Sequence, residues 1–139
     1  MTSTLKLPRV VLVAGGGVSG RGCAAILREL GTDVTVADGN AHTREELASA
    51  LEVKTIDPAD VDFSASDYDM LVTSPGWRPD SQLLQQAAAA HIEVIGDVEL
   101  AWRLDRAEVF GPPRTWLVVT GTNGKTTTTG MLAAMMQAN

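Results

Sequence analysis

Only one cysteine, Cys23, occurs in the 139 residues, so no internal disulfide can form and no cysteine cluster can hold a metal. Basic residues are scarce too: 11 Lys and Arg against 17 Asp and Glu give a net charge of −6 and a pI near 4.7. That balance argues against a general nucleic-acid or anionic-membrane binder, both of which need clustered Lys and Arg, so any anionic ligand must be held by local geometry. The two histidines, His42 and His91, lack partners at metal or triad spacing and read as surface residues. No apolar run approaches membrane-spanning length, and Met1 to Pro8 carries no hydrophobic leader core. Internal repeats, low-complexity tracts and coiled-coil heptads are missing as well. The expectation is a cytoplasmic chain with no membrane insertion, long enough for one packed domain and too short for a two-substrate ATP enzyme.

What the chain does have is alternation of strand and helix signals. Val10–Ala14 is a continuous apolar, β-rich run, the pattern of a strand buried on both faces of a parallel sheet. Cys23, Ala24, Ile26, Leu27 and Leu30 then recur at helical spacing until Gly31, read as a C-terminal cap. Val34–Ala37 is a second strand, Ala41–Leu51 a polar helix, and Val53–Ile56 a third strand before Asp57-Pro58. Met70–Thr73 is a fourth strand, Ser81–His91 a helix, Val94–Ile95 a fifth strand, and Val98–Leu104 a helix that Asp97 could cap. Gly111-Pro112-Pro113 can continue neither helix nor central strand and reads as a linker. Trp116–Thr120 is then expected to start a second sheet. The fold class this predicts is α/β, a Rossmann-like doubly wound parallel sheet of about five strands over residues 1–110, a linker at 111–115, and the start of an incomplete ATP-binding domain at 116–139.

Two glycine-rich loops carry the chemistry. Gly15-x-Gly17-x-x-Gly20 follows the first strand and opens a helix: Gly15 for a tight turn, Gly17 for close approach of a diphosphate, Gly20 for helix-on-strand packing. Asp38 ends the second strand about 20 residues on, suited to accept hydrogen bonds from a ribose or base, or else a solvated turn residue beside Gly39-Asn40. These letters point to a nucleotide diphosphate without separating NAD from a UDP-sugar. Ser74-Pro75-Gly76 either presents Gly76 to a ligand or is simply a type II turn. The second loop is Gly121-Thr122-Asn123-Gly124-Lys125-Thr126-Thr127, after the apolar Val118-Val119. Its glycines let backbone N–H groups turn toward one anion, Lys125 can reach the outer phosphates of a nucleoside triphosphate, and the Thr126 hydroxyl can ligate Mg²⁺ at a helix start. The string is shorter than the usual G-x-x-x-x-G-K-[ST], since Val119 stands five before Gly124. Cys23 could be acidified near a helix start, but its spacing with Leu27 and Leu30 favours core packing. Trp102 and Trp116 read as packing residues, and Met131, Leu132, Met135 and Met136 as a helical apolar face of the kind that is ordinarily core.

The Gly15 loop, Asp38, Ser74-Pro75-Gly76, Gly96-Asp97-Val98-Glu99-Leu100 and the Val119–Thr127 string together resemble the Mur ligase family over essentially the whole chain. The short ATP loop is shared with folylpolyglutamate synthases; the combination with the other strings is similar to the D-glutamate-adding branch. The resemblance implies ATP-dependent amide synthesis in peptidoglycan assembly, joining D-glutamate to UDP-N-acetylmuramoyl-L-alanine through an acyl phosphate. It implies Val18 and Ser19 at the uridine diphosphate, Asp38 at the uracil, Gly76 at the ligand from the third loop, Lys125, Thr126 and Thr127 at the ATP phosphates, and Mg²⁺ on Thr126. Two departures stand out: Gly16 where a larger apolar residue is usual, and Gly39-Asn40 in place of Thr-Arg. The rest of the catalytic machinery would lie beyond Asn139, so the expectation is a truncated, inactive piece of a monomeric ligase whose last strand and helix pack on the first domain or on a second copy. An NAD-dependent oxidoreductase or sensor, or a binding module without catalysis, remains open on the residues alone.

Overall fold

The computed structural model describes residues 8–138; the leader reading of Met1 to Pro8 and the outer domain limits at 1 and 139 lie wholly or partly outside the described residues. Five parallel strands, β1 (Val10–Ala14), β2 (Asp33–Ala37), β3 (Lys54–Ile56), β4 (Met70–Thr73) and β5 (Glu93–Gly96), form one sheet in the order β3-β2-β1-β4-β5. The helices are α1 (Val18–Glu29), α2 (Ala41–Leu51), α3 (Gln82–Ala89), α4 (Asp97–Arg106) and α5 (Lys125–Gln137). The sheet is the expected parallel α/β arrangement. Its order reverses between β1 and β4, which opens a crevice at the carboxyl ends of those strands. Those ends are level: Ala14 pairs with Ala37 on one side and with Thr73 on the other.

The central strand β1 is apolar throughout because both faces of the sheet are covered. Val11, Val13, Val34, Val36 and Val72 pack with Cys23, Leu27, Leu47, Leu100 and Leu104 on the face carrying α1, α2 and α4. Leu12, Ala14 and Leu71 pack with Val61, Leu83, Leu84 and Ala87 on the face carrying α3. Arg103 secures α4 to the sheet edge, donating to Glu93 at 2.7 Å and Glu99 at 2.6 Å; that guanidinium holds the Glu93 carboxyl below the usual range against the opposing effect of burial.

Three helices end in one motif. After α1, the N–H groups of Gly31 and Thr32 donate back to Arg28 and Leu27 carbonyls, with Gly31 at φ +83°. His91 occupies the equivalent left-handed position after α3 (φ 59°) and Glu108 after α4 (φ 57°), each with the same pair of backbone bonds. A side chain is disfavoured there, so His91→Gly should stabilise the protein by about 0.5–1 kcal/mol, read as a higher midpoint in urea with an unchanged slope. The α4 start differs from expectation: Gly96 is the cap residue, and Asp97 is the first helical residue, accepting from the Val98 N–H at 2.9 Å.

The last segment departs most. Trp116–Thr120 forms no strand, because a β-rich run becomes a strand only when a neighbour accepts its backbone bonds, and none lies beside it. Helix α5 is likewise no part of the core: Met131, Met135 and Met136 are exposed and Leu132 is only partly covered, so the expected packing of this face on the sheet unit does not occur. Trp102, expected to pack, is about half exposed at 48%. Among the described residues no helix is long and apolar enough to cross a membrane.

Candidate nucleotide site

Three loops meet at the sheet's switch point. Gly15 turns the chain out of β1 at φ +91°, its N–H held by the Ala37 carbonyl at 2.8 Å. Gly16 donates to the Asp38 carboxylate at 2.7 Å, and the other carboxylate oxygen accepts from the Asn40 N–H at 2.8 Å. Asp38 therefore ties the Gly15 loop to the loop that follows β2. The turn after β4 closes on the other side of Gly15, where an added Cβ would lie 2.8 Å from Trp77 Nε1 and 3.5 Å from Ser74 Oγ. That turn is held by the Trp77 N–H donating to the Ser74 carbonyl at 3.1 Å, and Gly76 is not at positive φ, so it is not the type II turn its letters suggested.

The glycines divide by role. Gly20 packs helix on strand: an added Cβ would sit 1.8 Å from the Gly15 carbonyl oxygen. Gly17, the residue before α1, and Gly76 face open space, with nothing within 4 Å of an added Cβ. Val18, 95% exposed, and the half-buried Ser19 open α1 beside them, and the first-turn N–H groups of that helix have no intrahelical acceptor. Gly16 answers one departure noted in the sequence: Leu47 and Thr43 of α2 fill the place a larger side chain would take, each 2.6 Å from an added Cβ. Asn40 answers the other by capping α2, its side-chain oxygen accepting from the His42 and Thr43 N–H groups at 2.9 and 3.2 Å.

Several supporting residues escaped the sequence reading. Arg44 donates to the Asp38 carbonyl at 2.5 Å and to Asp57 at 3.1 Å, fixing Asp38 from behind. Neither bond follows helical spacing, so an Arg on the polar helix α2 gives no sign of this in the sequence. Trp77 could have been found only from its position one residue past Ser-Pro-Gly. Cys23 is core, as expected; burial, and then the Asp97 charge, push its thiol up rather than down. His42 lies on the surface, 3.5 Å from Glu46.

The second loop stands apart. Gly121 through Thr127 are all exposed, Gly124 precedes α5 at φ +76°, and Lys125 Nζ folds back onto the Gly121 carbonyl at 2.6 Å. No hydrogen bond or ion pair among the described residues joins this loop to the Gly15 crevice. Nor, among the described residues, do three or more His, Cys, Asp or Glu side chains gather to hold a metal; Thr126 would offer a single oxygen, enough only for a Mg²⁺ otherwise held by phosphates and water.

A parallel sheet whose switch point gathers a glycine loop, an acidic residue directly after β2 and a third turn defines a Rossmann-like α/β domain. The family model described as Mur ligase MurD-like, N-terminal domain, matches residues 9–96, and the chain belongs to that family. It is 64% identical over 128 residues to the UDP-N-acetylmuramoylalanine--D-glutamate ligase of Corynebacterium diphtheriae, covering 91% of this chain and 27% of that protein. The ligase of the same name from Corynebacterium efficiens is 60% identical over 127 residues (91% and 27%), and that from Mycolicibacterium smegmatis 52% over 128 residues (92% and 26%). The chain thus spans about a quarter of the length of the curated relatives it matches.

Proposed function

We propose that the Gly15 crevice binds the uridine diphosphate end of UDP-N-acetylmuramoyl-L-alanine, as part of a ligase that adds D-glutamate to that compound in peptidoglycan synthesis in the cytoplasm. The observation that carries this reading is the convergence of Gly16, Asp38 and the Ser74–Trp77 turn on Gly15, with Gly17 and Gly76 left open beside the start of α1. Gly17, Val18 and Ser19 would meet the diphosphate with backbone N–H groups, and Gly76 would approach the ligand from the third loop. Both Asp38 oxygens already hold backbone N–H groups, so their remaining lone pairs would serve the uracil while the bonds fix the loop. In the whole ligase, Gly121–Thr127 would hold ATP, with Lys125 at the outer phosphates, Thr127 beside it and Mg²⁺ on Thr126. The muramoyl-alanine carboxylate would attack the γ-phosphorus, releasing ADP; the D-glutamate amine would then displace phosphate from the acyl phosphate and form the amide. The 139 residues alone are expected to yield no product.

Calorimetric titration tests the binding step. UDP-N-acetylmuramoyl-L-alanine is expected to bind and NAD⁺ not, with Asp38→Ala weakening the former at least about tenfold, the loss of a charge-assisted tie to Gly16. Binding of NAD⁺ alone would replace this reading with the oxidoreductase or sensor class.

A further inference from the structure

Asp105 is a carboxylate where helix physics disfavours one. It is the penultimate residue of α4, at the negative end of the helix dipole, and it is 4% exposed. Both costs are offset by donors from one short segment beyond the Gly111-Pro112-Pro113 turn. The Arg114 N–H donates to Asp105 at 3.0 Å, Arg114 Nη1 at 3.1 Å and the Trp116 indole Nε1 at 2.9 Å. Arg106, next along α4, donates to the Arg114 carbonyl at 3.0 Å. Arg114 is thus gripped at its amide, carbonyl and guanidinium, and Trp116 two residues on at its indole. These bonds, the Trp116 indole foremost, hold the Asp105 carboxyl below the usual range despite burial.

We propose that Asp105 is a positioning residue: it latches the Arg114–Trp116 segment to α4 and thereby fixes the direction in which the chain leaves the sheet unit toward the Gly121–Thr127 loop. The latched segment also roofs a cleft of about 370 Å³ between α1 and α4, walled by Ser19, Cys23, Leu100, Phe110 and Trp116. One wall of that cleft is therefore the helix that opens the Gly15 crevice, and the roof leads to the phosphate loop. A carboxylate that breaks the local charge rule yet accepts three donors from one short segment serves a positional requirement rather than helix stability. That the Gly15 crevice and the Gly121–Thr127 loop serve one reaction rests on the ligase reading; the latch itself does not.

Backbone N–H residual dipolar couplings and amide exchange on the 139-residue chain test it without nucleotide. With Asp105 present, the couplings of Arg114, Thr115 and Trp116 should fit the alignment frame of the β1 to β5 amides. In Asp105→Asn, which keeps the shape and removes the charge, they should shrink toward zero and the Arg114 amide should exchange at least about tenfold faster, while the sheet amides of Val13 and Val36 stay protected. Couplings already averaged in the native chain, or unchanged in both Asp105→Asn and Asp105→Ala, would overturn the latch. Failure of the ligand titration would count against uridine diphosphate binding in the Gly15 crevice and leave these couplings as they are.

Discussion

Gly20→Ala should destabilise the protein by about 3 kcal/mol or more and lower its melting temperature by roughly 10 °C. The added methyl would lie 1.8 Å from the Gly15 carbonyl oxygen and 2.9 Å from its carbon. Neither atom can yield: Gly15 is held by its N–H bond to Ala37 and by its left-handed turn, directly after the buried end of β1. Helix α1 would have to lift off the sheet, taking Cys23, Ala24 and Leu27 out of the core. Gly22→Ala, in the same helix with nothing within 4 Å of the new Cβ, is the control and should be neutral or stabilising by up to about 1 kcal/mol. Thermal unfolding followed by circular dichroism separates the two. Equal melting points for both variants would contradict the packing described here.

Gly16→Leu is expected to cost about 1–3 kcal/mol, because the space for a larger residue is already taken by Leu47 and Thr43. The conflict is with side-chain ends rather than backbone, so it can be relieved. Combined with Leu47→Ala, the leucine should occupy the vacated volume, and the pair should be more stable than the sum of the single effects by about 1 kcal/mol or more. Denaturant unfolding of the four proteins of this cycle measures that coupling. Strict additivity would mean that Leu47 is not what fills the missing side chain's place.

These two glycines show how far the sequence alone could be read. That Gly20 packs helix on strand followed from its spacing after β1, and β1, α2 and β4 have the bounds their apolar runs and flanking breakers implied. The parallel doubly wound sheet and the meeting of the Gly15 loop with Asp38 followed from strand and helix alternation, whereas the strand order was visible only in the structure. What Gly16 faces did not, since the compensating Leu47 lies on α2, far along the chain from the Gly15 loop. The ends of α3 and α4 were blurred for a local reason: the left-handed residues there are His91 and Glu108, which carry none of the signal that Gly31 gives after α1. Val118-Val119 reads as strand by composition, but a strand is a relation between neighbours, and its sheet is not formed by these residues. Asp105 was invisible for the opposite reason: an acid near a helix C-terminus looks like an exposed, mildly unfavourable charge until Arg114 and Trp116 are seen to converge on it.

On the function proposed above, the Gly15 crevice, and not the Gly121 loop, receives the uridine diphosphate. Amide chemical-shift mapping of the ¹⁵N-labelled chain with UDP-N-acetylmuramoyl-L-alanine tests it most directly. The expected result is displacement of the Gly16 to Gly20 amides, of Asp38 to Asn40 and of Gly76, with Gly121 to Thr127 unmoved and no such pattern on adding NAD⁺. Shifts confined to Gly121 to Thr127, or the same crevice pattern produced by NAD⁺, would contradict it.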